Sequence, residues 1–349
     1  MSRRIAPKSS VCITEEEKNI KNTADGKLIL TTYRERKCAM ILQNDRLKFV
    51  KVLSGSSGKV GAVYVGKIKN IVKNINACFV EIANGELCYL ALLQIQNPYL
   101  LNRTYDGRLL EGDEILVQIV RDAQKTKQAS VSTQITGMDE AEIQKALHRT
   151  CFSCVKEAPT ELESLLTKSS FVTFTEIITD DNNYYEQLQN ATANLNLVIP
   201  VRLYQDAKLS LSAVYGLQSK MEMALERRIW LKSGAYLIIE PTEALTVIDV
   251  NTGKFDAKKD VEETFRRINM EAAEEIALQM RLRNLSGIIV VDFINLKTKE
   301  EKSALINYMK DLVRDDPVKT VVVDMTVLGL MEITRKRIDK PLREQFYNC

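Results

Sequence analysis

From Lys27 onward, apolar and polar positions alternate in short runs. LILTTY (Leu28 to Tyr33), CAMILQ (Cys38 to Gln43) and LKFVKVL (Leu47 to Leu53) read as strands, with Gln43-Asn44-Asp45 as a hairpin turn. Ser54-Gly55-Ser56-Ser57-Gly58 then has the composition of a flexible linker. VGAVYVGKIKNIV, ACFVEIAN, CYLALLQI, DEILVQIVRD and QASVSTQI follow without helical periodicity. Five short strands broken by Asn, Gly and Asp predict a small closed Greek-key barrel. Helical spacing appears over Glu140 to His148, Tyr184 to Ala193 and Ser212 to Leu231, while FVTFTEII (Phe171 to Ile178) and NLVIPVRLY (Asn196 to Tyr204) read as strands. The Ser212 to Leu231 segment places Val214, Leu217, Met221 and Leu225 on one stripe and Arg227-Arg228 at its C-terminal end.

The last third alternates strand and helix, which predicts a layered sheet flanked by helices. AYLIIEP and ALTVIDVN are strands joined at Pro241-Thr242-Glu243. Asp260 with Glu263 opens a helix whose stripe is Phe265, Ile268, Ala272, Ile276 and Met280. GIIVVDFI (Gly287 to Ile294) is nearly all apolar, as expected of a strand covered on both faces. Thr298 with Glu301 caps the next helix, KTVVVDMT reads as a central strand, and GLMEITRKRIDKPLREQF reads as a basic helical segment.

Composition narrows the function classes. The 349 residues are 45% hydrophobic and 27% charged, which excludes wholesale disorder. No apolar run reaches the length of a membrane span, and none follows the basic first residues as a secretory signal would. Seven cysteines without repeating spacing suit reduced thiols, so a cytoplasmic protein is expected; the lone Cys151-x-x-Cys154 pair is weak evidence for zinc. The net charge of +3 is nearly balanced, so a polyanion must be held by a local patch. The barrel carries such a patch. Phe79, Tyr89 and Tyr64 lie among Lys67, Lys69, Lys73, Arg121, Lys125 and Lys127. Lys67 and Lys69 share a face through the period-two alternation of a strand. This set reads either as a stacking platform for single-stranded nucleic acid or as ordinary barrel core with solubilising charge. His148 is the single histidine, so acid-base or metal work falls to carboxylates.

Two carboxylates end apolar strands: Asp249 in VIDVN and Asp292 in VVDFI. Burying a charge there costs several kcal/mol unless it is paired or holds a metal. Sharing a divalent cation is one solution, and all-oxygen ligation favours Mg²⁺ or Mn²⁺ over zinc. Asn251, two residues after Asp249, points to the same face and can hydrogen-bond a phosphate oxygen. The alternative pairs the aspartates with Arg281 and Arg283, or leaves them capping loops. Asp324 near a third strand end is a further candidate.

PTEALTVIDVNTGKF, EEIALQMRLRNLSGIIVVDFINL and LGLMEITRKR closely resemble the catalytic region of the bacterial ribonuclease E/G family, and VYVGKIKNI, ACFVEI and YLALLQI resemble its ribosomal-protein-S-one-type OB barrel. The resemblance implies an α+β multidomain chain. It divides into a flexible arm (1–26), N-terminal strands of an RNase H-like subdomain (27–53), an OB-type RNA-binding barrel (54–135), a reduced 5′-sensor-like region (136–170), an RNase H-like segment (171–221) and a DNase I-like catalytic domain with a truncated zinc-link tail (222–349). It also implies a magnesium-dependent endoribonuclease that cleaves A/U-rich single-stranded RNA to 5′-phosphate products in RNA processing and decay, with ribosomal RNA maturation among its roles. Asp249 and Asp292 would hold Mg²⁺ (or Mn²⁺) and Asn251 would orient the scissile phosphate. Phe79 and Tyr89 would contact a base, with Lys67 and Lys127 at the RNA backbone.

Departures from the family pattern accompany the match. The Arg-Thr pair of the family's 5′-monophosphate pocket has its remnant in Arg149 and Thr150, and Lys319 stands where an arginine is usual, without a bidentate fork. The chain ends at Cys349, where the family's zinc link begins, so one thiolate per subunit makes that link doubtful while a homodimer remains expected. The rival expectation is an RNA-binding scaffold that has kept the fold without cleavage.

Overall fold

The computed structural model describes residues 26–55, 58–123, 127–168, 174–253 and 261–347. The expected N-terminal arm, Lys125, the start of the Phe171 strand, the Asp260 cap and Cys349 lie outside the described residues. The chain divides into two compact units, one spanning 54–165 and the other formed by 1–53 with 166–349.

The second of these begins with β1 (Lys27–Tyr33), β2 (Arg36–Gln43) and β3 (Arg46–Val52), an antiparallel meander. The β2–β3 turn places Asn44 and Asp45 at φ of 50° and 58°, the left-handed conformation those residues tolerate.

In the 54–165 unit, β4 (Val63–Val72), β5 (Ala77–Glu81), β6 (Leu87–Ala91), β7 (Glu114–Arg121) and β8 (Ser130–Ser132) close a five-stranded barrel in the circular order β4-β5-β6-β8-β7. The β6–β8 pairing is parallel and the others are antiparallel, an OB-like arrangement. α1 (Glu140–Ala146) carries an Asp139/Glu142 capping box. It seats Ile143 and Ala146 on Val63, Val65 and Leu116 of the barrel. β9 (Cys154–Lys156) adds to β4, so the unit continues past the barrel itself, and α2 (Glu161–Lys168) follows. The entry to β7 is held by Asp113, 2% exposed, which accepts from Arg103 Nε at 2.7 Å and Nη2 at 2.8 Å. Burial pushes the Asp113 carboxyl upward, but Arg103 and the Leu110 N–H outweigh it, and the net shift is below the ordinary aspartate value.

After the barrel unit, β10 (Glu176–Thr179), α3 (Asn182–Asn194) and β11 (Val201–Leu203) return the chain to the first sheet, in the order β11-β10-β1-β2-β3. The β10–α3–β11 crossover is parallel, and so is the β1–β10 pairing.

Where a single helix is expected from Ser212 to Leu231, the chain forms α4 (Leu211–Val214), α5 (Leu217–Leu225) and strand β12 (Arg228–Trp230). Gly216, at φ +57°, breaks the helix. Leu211, Leu217 and Met221 cover the first sheet. The six-stranded sheet then runs β12-β13-β14-β15-β17-β16, with β13 (Tyr236–Pro241), β14 (Leu245–Asn251), β15 (Gly287–Asp292), β16 (Thr320–Met325) and β17 (Leu330–Arg335).

The basic segment expected to be helical begins as β17, because Met331, Ile333 and Arg335 alternate into the core. KTVVVDMT is an edge strand, not a central one. α6 (Val261–Leu282) and α7 (Lys299–Val313) cover one sheet face through Ile268, Ala272, Ile276, Met280, Leu305 and Met309. Thr298 and Glu301 form the expected capping box of α7. α8 (Leu342–Phe346) ends the described chain, with Leu342 buried against the first sheet.

The other face of the six-stranded sheet is open. Ile288 is 51% exposed and Val323 is 51% exposed, so among the described residues the expected double cover of GIIVVDFI is absent. Apolar composition alone cannot distinguish a strand buried on both sides from one that keeps a face for another molecule.

Candidate active site and RNA interface

β14 and β15 are parallel, and their ladder pairs Asp249 directly with Asp292. Neighbouring strands stand about 4.8 Å apart and register partners point to the same side. Ile248 and Val250 face the covered core, so Asp249 and Asn251 turn to the open face. Asp292 is exposed, whereas its neighbours Val291 and Phe293 are buried. Asn251 Nδ2 donates to Asp249 Oδ2 at 2.7 Å, which fixes the carboxylate and uses one of the two amide hydrogens.

Surrounding elements hold this edge in place. Asn269 on α6, fully buried, donates from Nδ2 to the Ile294 carbonyl at 2.7 Å and accepts from the Ile294 N–H at 3.0 Å, clamping the segment after Asp292. Gly253 adopts φ +66°, and a Cβ there would stand 2.3 Å from the Gly234 carbonyl oxygen. Only glycine lets the chain leave Asn251 so close to the β12–β13 turn. That turn is tied to α6 by Glu271, whose Oε1 accepts from Lys232 N at 2.7 Å.

The alternative partners turn elsewhere. Arg283 donates from Nε to Gln279 at 2.7 Å, and the charges that act on Arg281 are those of Asp316, Arg335 and Asp315. Burial lowers both guanidinium pKa values, that of Arg283 to about 10. Asp324 sits at the β16 bulge, two strands from β15, and accepts from the Met325 N–H at 2.8 Å; it does not join the pair. Among the described residues no cluster of three or more Asp, Glu, His or Cys is placed to hold a metal ion. Two carboxylates on one face fit Mg²⁺, which characteristically takes one or two protein carboxylates and completes its shell with water and substrate phosphate.

On the barrel, Phe79 and Tyr89 are register partners with ring centroids 6.3 Å apart at 72°. Their neighbours Cys78, Val80, Cys88 and Leu90 fill the interior, so both half-buried rings stand outside the barrel core. The row continues through Ser130 to Arg121, whose Nη2 donates to Ser130 Oγ at 2.7 Å. Lys127 is exposed just ahead of β8, close to where Tyr89 N–H donates to Ala129 O at 2.8 Å. Lys67 is half-buried opposite Glu81 and Glu114.

Lys69 pairs with Glu81 at 3.0 Å, and Glu81 is also the register partner of Lys67, so both lysines reach the same residue on either side of the core-facing Ile68. One barrel expectation changes. Tyr64 is 8% exposed in the core, its phenol pushed up to about 12 by burial and by Cys154, and offers no stacking face.

Arg149 and Thr150 are exposed after α1, and Lys319 is exposed ahead of β16 in the other unit. Cys151 and Cys154 are free thiols of intermediate exposure. Among the described residues no helix is long and apolar enough to cross a membrane.

The profile of the Ribonuclease E/G family matches residues 110–338, more than half of the chain. The chain belongs to the ribonuclease E/G family. It is 46% identical over 129 residues to ribonuclease G of Haemophilus influenzae, a stretch covering 37% of this chain and 26% of that relative. With Escherichia coli K12 ribonuclease G the identity is 25% over 368 residues, covering 83% of this chain and 75% of the relative. With ribonuclease E of the same strain it is 27% over 399 residues, covering 92% of this chain but 38% of the longer relative. The match to the family spans both the end of the barrel and the sheet that carries Asp249 and Asp292.

Sequence reasoning did not single out Asn269, Glu271 or the role of Gly253. Asn269 reads as one polar residue in an amphipathic helix. Its clamp on Ile294 spans 25 residues and has no local signal.

Proposed function

We propose that this chain is an endoribonuclease that hydrolyses A/U-rich single-stranded RNA to 5′-phosphate products, in RNA processing and decay, with ribosomal RNA maturation among its roles. The observation that carries the reading is the pairing of Asp249 with Asp292 on one open sheet face, with Asn251 hydrogen-bonded to the first. Membership of a family whose relatives are named ribonuclease G and ribonuclease E supports it.

Asp249 and Asp292 would hold Mg²⁺, or Mn²⁺ in its place. When bound, the ion supplies Lewis-acid polarisation of the phosphoryl oxygen and a water of lowered pKa. Asn251 keeps Asp249 in one rotamer and presents its remaining amide hydrogen to a phosphate oxygen, so the RNA backbone is oriented without an added charge. A histidine base is not needed, which agrees with His148 being exposed on the barrel unit. The layered sheet with α6 and α7 on one face is read as the DNase I-like domain of the family, and the β1–β3 sheet with β10 and β11 as its RNase H-like part.

Phe79 and Tyr89 receive a base on the barrel, while Lys67 and Lys127 meet phosphates. Arg149 and Thr150 are read as the remnant of the family's 5′-sensor pair, and Lys319, where the family usually has an arginine, offers a point charge instead of a bidentate fork. The enzyme acts as a homodimer in the cytoplasm.

The test is incubation of the full chain with a labelled A/U-rich single-stranded oligonucleotide, in Mg²⁺ and in EDTA. Cleavage in Mg²⁺ alone supports the enzyme. Binding without any Mg²⁺-dependent cut favours the scaffold instead.

A further inference from the structure

The edge of the open face next to the carboxylate pair carries an aromatic group that the proposed reaction leaves unused. Trp230, the chain's single tryptophan, is 62% exposed on the edge strand β12. Its register partner is Tyr236 on β13, whose own partner on β14 is Asn251. One row across the sheet therefore reads Trp230, Tyr236, Asn251. The adjacent row reads Arg228, Ile238, Asp249, Asp292. The Trp230 and Tyr236 ring centroids are 5.1 Å apart at 58°. The Arg228 guanidinium lies 4.8 Å from the Tyr236 centroid and 5.8 Å from that of Trp230.

We propose that Trp230 and Tyr236, backed by Arg228, form a base-stacking subsite for the nucleotide beside the phosphodiester that Asp249 and Asp292 act on. The inference deepens the nuclease reading and rests on it. Arg228 stands two strand spacings from Asp249, about 10 Å, which puts its positive charge where the RNA backbone would leave the carboxylate pair. A large ring with over half its surface in water gains by covering a base, and every base has a π-face. The subsite therefore adds affinity without selecting a particular base. The Glu271 tether and the close Gly253–Gly234 approach hold the turn between Trp230 and Tyr236 against α6 and β14, so the platform is already built. The cation beside the rings favours a polyanionic occupant over a second copy of this nearly neutral chain.

Because Trp230 is the only tryptophan, its emission reports on this subsite directly. The full chain is titrated in EDTA with a single-stranded A/U-rich oligonucleotide while fluorescence anisotropy of the labelled RNA measures binding. Saturable quenching of Trp230 that tracks the anisotropy is expected. Trp230→Ala should weaken binding by about fivefold to a hundredfold, and Trp230→Phe should restore most of it. In a series of oligonucleotides with one abasic nucleotide, a single position should stand out as the one at which wild type and Trp230→Ala bind alike. Unchanged emission at saturating RNA overturns the proposal, as does normal binding by Trp230→Ala and Tyr236→Ala. Emission that changes with protein concentration and not with RNA also overturns it, and assigns the face to a second copy of the chain. No step of this test requires cleavage, so failure here leaves the nuclease reading to be decided separately by its Mg²⁺ assay.

Discussion

Asp249 and Asp292 lie 43 residues apart in the chain yet face each other directly across the parallel β14–β15 ladder, both on the uncovered side of the sheet. Each is flanked by residues that point into the core, so neither carboxylate can turn inward without moving its strand.

Asp292→Asn keeps the shape of the side chain and removes one of the two negative charges. Cleavage is expected to fall by at least about two orders of magnitude while RNA affinity, dominated by phosphate contacts, changes little. Single-turnover cleavage and equilibrium binding on the same oligonucleotide separate the two; near-normal cleavage rejects the assignment of Asp292.

The barrel rings are tested by truncation. Phe79→Ala or Tyr89→Ala should weaken RNA binding by about 1–3 kcal/mol, since each ring stands outside the core and offers a face to a base. If both variants bind RNA normally in an anisotropy titration, the rings only cover the barrel surface.

Arg335 and Asp316 form an ion pair whose side chains are 2% and 1% exposed, with Nε to Oδ2 at 2.9 Å and Nη1 bonded to the Leu285 carbonyl at 3.0 Å. Asp316→Asn leaves a buried guanidinium without its counter-charge, and a loss of about 3–5 kcal/mol is expected. Denaturant unfolding followed by Trp230 emission reads this unit, and a shift under about 1 kcal/mol would reject a structural role for the pair.

Asp113 gives the barrel a pH dependence. Its folded pKa is lowered while the unfolded value is the ordinary aspartate one, so the unfolded state binds the proton more readily. The stabilisation from the Arg103 fork is therefore complete above the unfolded pKa, about 3.9, and is lost as pH falls through the folded value. Amide hydrogen exchange in β4 and β7 should show weakening protection below about pH 4, and Asp113→Asn should be less stable at neutral pH with a flatter acid limb. An acid limb unchanged in the variant would show that other groups set it.

The strands of the barrel, the α7 cap at Thr298 and Glu301, and the two aspartates at strand ends are all legible in sequence, because alternation, capping and charge are local patterns. Other elements mislead for equally physical reasons. The segment 330–335 opens a longer run whose later part is basic and reads as one helix, and its buried Arg335 hides the period of two; that arginine is paired in the core by Asp316, 19 residues away. Val214 to Leu225 keeps a helical stripe that Gly216 interrupts. In GIIVVDFI, apolar side chains occupy both faces, although only one is covered.

By itself the sequence determined which residues carry charge, aromaticity and strand-forming pattern, and that these group as in the ribonuclease E/G family. Tertiary structure alone decided the β14–β15 register that brings Asp249 to Asp292, the row that aligns Trp230 and Tyr236 with Asn251, and which side of the sheet stays open. Register is set by hydrogen bonding between segments distant in the chain, and slipping it by one residue would turn these side chains to the other face. No local pattern along either strand contains that information.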